Sequence, residues 1–113
     1  MKVAINKQHG GFGLSDLATE MYAERKGIKL IKKKTDGFWR VDSDYMIDDT
    51  DYFSAHDLER NDSDLISVIE KLGDKANGWA ASLKIVEIPN DVMWQIEEYD
   101  GLEWIAEKHR TWE

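Results

Sequence analysis

The stretch KVAINKQHGGFGLSDLATEMYAERKG, residues 2–27, decides the fold. Lys2 to Asn6 alternates polar and apolar residues, which predicts a short strand with Val3 and Ile5 on one face. His9, Gly10, Gly11, Phe12 and Gly13 must then turn the chain, because three glycines in four positions cost a helix or strand heavily. Ser15 stands before Asp16, and a capping hydroxyl followed by acids in the first turn predicts a helix over residues 16–26 that Gly27 stops. Leu14, Leu17, Ala18, Met21 and Tyr22 recur at helical spacing and mark its expected buried stripe.

Working outward, Ile28 to Lys34 alternates again, and Thr35-Asp36-Gly37 leads into Phe38-Trp39-Arg40-Val41, the pattern of a β-hairpin. From Asp42 to Asp57 the composition turns acidic around a few apolar anchors, which reads as a surface connection. Asp62 or Ser63 caps a second helix through Leu65, Ile66, Val68, Ile69 and Leu72, ended by Gly73. Ser82 to Ile88 is a further strand pattern, and Pro89-Asn90-Asp91 is a turn. Val92, Trp94 and Ile96 share one face of the next strand, and Asp100-Gly101 is the strongest hairpin signal in the chain. Leu102 to Trp112 suits a returning strand or a helix equally. The pattern predicts a single α+β domain over residues 1–113, a mainly antiparallel sheet with two helices.

The chain has 113 residues, 23 acidic and 15 basic, a net charge of −8 and no cysteine. Without cysteine there is no disulfide framework, no thiolate zinc site and no cysteine nucleophile, which fits a cytosolic setting. The N-terminal MKVAIN lacks an apolar stretch of signal-peptide length, and no window approaches a membrane span, so a soluble, unexported protein is expected. A pI near 4.8 argues against broad binding to nucleic acid or anionic membranes, while leaving room for a small anionic ligand held by a few local cations.

The glycine turn between a strand and a helix N-terminus has the geometry that presents backbone N–H groups to a phosphate, although it matches neither the dinucleotide fingerprint nor a P-loop; the alternative is a purely connecting turn. Arg25, Lys26, Lys29, Lys32, Lys33 and Lys34 form a basic cluster that a solvated strand face and a helix C-terminus explain without a ligand. Asp42-Ser43-Asp44 lacks the central glycine and terminal glutamate of a calcium loop. His9, His56 and His109 show no zinc-helix spacing, and no serine lies in a nucleophile elbow, so no metal, cofactor or catalytic residue is assigned. Glu107-Lys108-His109-Arg110-Thr111-Trp112 is more informative, since a guanidinium forks onto phosphate while a ring stacks on a base. Equally, Trp104 and Trp112 read as core or interface anchors and Arg110 as the partner of an acid.

Four segments carry a resemblance: His9 to Ser15, Arg60 to Ile66, Leu83 to Pro89, and Tyr99 to Trp112. Together they resemble the first type of Thoeris anti-defence protein, a group of small phage and prophage proteins. Such relatives often have a proline early in the second helix, where this chain has Ser63. The resemblance implies a sponge that sequesters cyclic ADP-ribose-type signals without cleaving them, in the cytoplasm of a bacterial host. Some members also hold cyclic di- or trinucleotides. It further implies a homo-oligomer, a dimer or larger, with a site between subunits. Carried over by motif, the ligand-binding residues are Arg110, Asn90 and Asp91, Arg25, and Phe12 in its glycine-rich turn.

A ligand of this kind has a pyrophosphate, an adenine and ribose hydroxyls, which suit cations, a ring and Asp or Asn respectively. Five tryptophans are generous for one small core, as an interface would explain. The competing class is an acidic protein-binding inhibitor, or nucleic-acid mimic, that blocks a defence protein directly.

Overall fold

The computed structural model describes residues 1–33, 43–48 and 50–108. In chain order these form strand β1 (Lys2–Asn6), helix α1 (Asp16–Lys26), strands β2 (Ile31–Lys33) and β3 (Asp44–Met46), helix α2 (Ser63–Leu72), and strands β4 (Leu83–Glu87), β5 (Trp94–Tyr99) and β6 (Leu102–Glu107), with 3₁₀ turns at Ala55–Asp57 and Gly73–Ala76. The protein is an α+β fold, and the strand pairs among the described residues are antiparallel. The described strands do not make one sheet. They form three two-stranded ladders, β1 with β4, β2 with β3, and β5 with β6.

Local chemistry sets the helix ends. The Ser15 hydroxyl oxygen accepts the Ala18 N–H at 3.1 Å, and Gly27 at φ 70° lets the Ile28 N–H return to the Ala23 carbonyl at 2.9 Å. Asp62 caps α2 by accepting the N–H groups of Asp64 and Leu65, and Gly73 at φ 58° stops it. At the far end of the chain Asp100 (φ 50°) and Gly101 (φ 87°) make the two-residue turn with positive φ at both positions that matches the twist of a hairpin.

The core forms where α1 and α2 pack together over β1, from Ala4, Leu14, Ala18, Tyr22, Leu65, Val68 and Ile69 among others. One expectation is corrected here. Leu17 is half exposed, and Thr19 and Ala23 are buried in its stead. The Thr19 hydroxyl can be buried because it donates to the Ser15 carbonyl at 2.9 Å. The β1 strand forms as expected with Val3 and Ile5 on one face, and Ala4 and Asn6 on its other face are buried too, so the strand is covered on both sides. It is packed by α2 and β6 in addition to its ladder partner β4.

The stretch from Asp42 to Asp57, expected to be a connection, contains β3, with Tyr45 and Met46 buried. The described partner of β2 is this strand, in the register Ile31↔Met46 to Lys33↔Asp44. The expected turn Thr35-Asp36-Gly37 and strand Phe38–Val41 lie outside the described residues. The C-terminal ambiguity resolves to a strand over Leu102–Glu107, while His109, Arg110 and Trp112 lie outside the described residues. No helix among the described residues is long and apolar enough to cross a membrane.

Candidate functional site

The strongest constraint on the site is a buried charge pair. Arg60, just before α2, places its two terminal nitrogens on the two carboxylate oxygens of Glu103 in β6, at 2.6 and 2.9 Å, and both side chains are under 10% exposed. Glu103 also accepts the Asn6 N–H at 2.8 Å, and the Arg60 guanidinium lies over the Phe12 ring, 3.7 Å from its centroid. Desolvating two charges is expensive unless they are well paired, and here the fork geometry, a backbone donor and a ring face all offset the cost. Asn6 completes the knot: its amide donates to Gln8 O and Gly101 O, and its carbonyl oxygen accepts the Ser82 N–H.

The hairpin turn is seated on the glycine turn. The Gly10 N–H donates to the Asp100 carbonyl at 3.2 Å, and a Cβ on Gly101 would stand 2.3 Å from the Gly11 nitrogen. A second backbone approach joins Gly13 and Gly78, whose N–H donates to the Gly13 carbonyl at 3.0 Å. Glycine is required where main chains approach this closely.

These contacts frame a cleft of about 320 Å³ lined by residues 10–14, 19, 43–45, 53–55 and 78–81. Its walls are mostly glycine, alanine and serine, with Phe12, Tyr45, Phe53 and Trp79 contributing rings; the Trp79 residue is 55% exposed. Among the described lining residues Asp44 is the one charged side chain. A second hollow of about 350 Å³ lies between Met1 and α2, beside the Lys2–Glu70 ion pair.

Of the residues expected to bind ligand, Phe12 lines the cleft and is buried with its ring under Arg60. Arg25 is exposed in the last turn of α1, its Nε 3.3 Å from Asp64. Asn90 and Asp91 are exposed in the turn between β4 and β5. Arg110 lies outside the described residues. Within one chain the cleft therefore includes Phe12 but not Arg25, Asn90 or Asp91.

Much of the basic cluster is spent on acids. Lys26 reaches Asp62 at 2.6 Å and Asp64 at 3.1 Å, and Lys32 lies 3.7 Å from both Asp16 and Glu20. The hydrogen bond to Asp62 pushes the Lys26 ammonium well above its ordinary range. Burial pushes the Asp62 carboxyl up, but the Lys26 ammonium and the N–H groups of Asp64 and Leu65 outweigh it and hold the group below the usual carboxylate range. A carboxyl depressed in the fold contributes stability that is complete above its unfolded value, near about 4, and is lost as pH falls through the folded value. Acidification below about pH 4 should therefore lower the melting temperature more steeply in the parent than in Asp62→Asn, which keeps the cap oxygen but cannot titrate. Parallel melting curves would remove Asp62 from the acid response.

The acidic stretch is also locally committed: Asp48 accepts the N–H groups of Thr50 and Asp51 and the Thr50 hydroxyl, which hold its carboxyl low. His56, Glu98 and Glu103 bring donor atoms within 4.8 Å of one another. Glu103 already serves Arg60 and Asn6, so a cation there would compete with the guanidinium.

Sequence reasoning missed the Arg60–Glu103 pair, Asn6, and the Trp79 wall. One signal was available. Glu103 shares its face of the hairpin with Ile105 and, across the ladder, Ile96, and a carboxylate at an apolar-side position implies a buried partner. Neither a family model nor a curated protein nor a solved structure gives a significant match to this chain.

Proposed function

We propose that the protein is a non-enzymatic sponge that binds a cyclic ADP-ribose-type nucleotide and holds it away from the effector it would activate. The observation that carries this reading is the convergence of the segments that bear the resemblance. Phe12 from the first segment lies under Arg60 from the second, Arg60 grips Glu103 from the fourth, and Gly10 bonds to Asp100 beside the same turn. The third segment contains β4, which pairs with β1. The cleft opens on the first of these segments, so the shared residues frame a preformed hollow, as tight binding with little ordering cost requires.

Arg25, Asn90 and Asp91 are exposed and lie outside that cleft, an arrangement suited to a second copy completing a phosphate- and ribose-binding surface between chains. A second reading, an acidic inhibitor docking on a defence protein, draws on Glu87, Asp91, Glu97, Glu98, Asp100 and Glu107, all exposed on or beside the last three strands.

The test is to incubate the protein with the signal made by a bacterial TIR-domain enzyme, filter, and heat-denature the retained fraction. Intact signal released by heat is the expected result; signal passing freely through the filter favours the acidic inhibitor, and altered signal indicates an enzyme. Arg110→Ala is expected to cut retention by about tenfold or more while leaving a folded protein, since a lost charge-assisted contact to phosphate costs about 1.5–3 kcal/mol. Retention equal to the parent would remove Arg110 from the site.

A further inference from the structure

The β5–β6 hairpin has an open edge. The Lys108 N–H donates to the Met93 carbonyl at 2.7 Å, and this bond sets the parity of the whole ladder: the main-chain groups of Met93, Gln95, Glu97 and Tyr99 face β6. Those of Trp94, Ile96 and Glu98 therefore point the other way, and no hydrogen bond among the described residues reaches them. Among the described elements only β6 packs against β5 to any extent. The strand, Trp94–Tyr99, thus presents a row of unused donors and acceptors along its outer side.

Proteins blunt such edges with lysine, proline, a bulge or a very short strand. The other ladders follow that practice. β2 and β3 have three described residues each. On the outer side of β4 the Leu83 N–H is taken by Asn77 Oδ1 at 2.8 Å, Lys84 lies within the strand, and Pro89 follows it closely. β5 has none of these devices. Its sequence, WQIEEY, contains neither lysine nor proline, and its register runs unbroken from Trp94↔Glu107 to Tyr99↔Leu102.

What the edge carries instead is negative charge. Glu97 and Glu98 lie in the strand and Glu107 across the ladder, all exposed, and none has a lysine or arginine partner among the described residues. Glu97 is fixed in place by the side-chain N–H groups of Gln95 and Trp104, which donate to its two oxygens at 3.0 and 3.1 Å. Another β5 laid antiparallel along this edge would set carboxylates near carboxylates, whereas a basic strand would meet opposite charges. Trp94 and Ile96, half-buried on the same face as Glu98, add apolar surface beside them.

We propose that the outer edge of β5 takes up an extended basic segment of another protein as an added antiparallel strand. Main-chain hydrogen bonds to Trp94, Ile96 and Glu98 hold the segment, and the register selects its side chains. Read from its N-terminus, the segment places two consecutive basic residues opposite Glu98 and Glu97, then apolar residues opposite Ile96 and Trp94. This activity goes beyond nucleotide sequestration and does not depend on it.

Amide hydrogen exchange read by NMR tests the proposal, using the whole chain and a synthetic peptide of about eight residues with that pattern, two lysines followed by alternating apolar residues. The N–H groups of Trp94, Ile96 and Glu98 should gain about tenfold protection or more, while those of Gln95 and Glu97, already turned toward β6, should change little. A peptide with proline at the residue opposite Ile96 should not bind, because it lacks the donor the edge requires. Glu97→Lys combined with Glu98→Lys should weaken binding by about tenfold or more, and a peptide with two glutamates in place of the lysines should recover it. Both positions are exposed, so the double variant should keep its fold.

The proposal is overturned if the lysine peptide leaves the three amides unprotected, if the proline peptide binds equally, or if charge reversal changes nothing. Protection of the same amides that grows with the concentration of the free protein would mean that a second copy covers the edge, and overturns it too. The filtration assay reads nucleotide retention and the exchange experiment reads β5, so the sponge and the strand-docking edge can each fail without the other.

Discussion

Arg60→Ala is expected to destabilise the fold by about 3–5 kcal/mol, because it leaves the Glu103 carboxylate charged, buried and without its counter-ion. Against the roughly 5–15 kcal/mol that holds a domain of this kind together, the loss is a large fraction of the total. It corresponds to a melting temperature lower by about 10–20 °C. The guanidinium also covers the Phe12 ring, so its removal strips a cation–π contact from the same place.

The double replacement Arg60→Met with Glu103→Leu separates burial from attraction. Apolar substitutes remove both desolvation costs together, and at least half of the loss should return. Recovery will stop short of complete because the Asn6 N–H, which donates to Glu103 at 2.8 Å, then lacks its acceptor. A double-mutant cycle on melting measures the coupling. An Arg60→Ala protein that melts within about 3 °C of the parent would show that the pair contributes little to the fold.

Gly101→Ala should cost about 2–4 kcal/mol, for reasons of space and of backbone conformation together. The residue has φ 87°, and its added Cβ would stand 2.3 Å from the Gly11 nitrogen and 2.6 Å from the Gly10 nitrogen. Both obstacles are main chain, so neither can swing aside as a side-chain tip would. Gly27→Ala is the matched control: φ is 70° there, but nothing lies within 4 Å of the added carbon, so the conformational cost alone, about 1 kcal/mol, is expected. Thermal melting distinguishes the two, and equal losses would mean that the hairpin turn can move off the glycine turn without penalty. Hydrogen exchange in β5 and β6 adds a second readout, since a hairpin lifted from its seat should lose protection across both strands.

The elements that were legible in the sequence are those ended by local chemistry. Ser15 and Gly27 delimit α1, Asp62 and Gly73 delimit α2, and Asp100-Gly101 makes the hairpin turn, each through hydrogen bonds or dihedral preferences spanning a few residues. Leu17 was misplaced because a hydrophobic stripe identifies a plausible face but not which neighbour will press on it. Ala18 and Tyr22 share the core with Leu65, Val68 and Ile69 of α2, and Leu17 was left half exposed. β3 was missed because its three residues sit in an acidic run, and only pairing with β2 and burial of Tyr45 and Met46 make them a strand. Of the expected ligand-binding residues, Phe12 was legible as part of a glycine-rich turn, but not as the ring beneath a buried arginine.

By itself the sequence determined the two helices and their ends, the Asp100-Gly101 turn and the α+β class, because capping, glycine dihedrals and apolar periodicity act over less than a few turns of chain. Only the tertiary structure decided that the strands sort into three ladders, that Arg60 and Glu103, 43 residues apart, share one buried pocket, and that the glycine turn borders a cleft with Asp44 beside it. The physical reason is that pairing partners and the local field around a charge are set by what distant segments bring to the same place. No short window of residues contains that information.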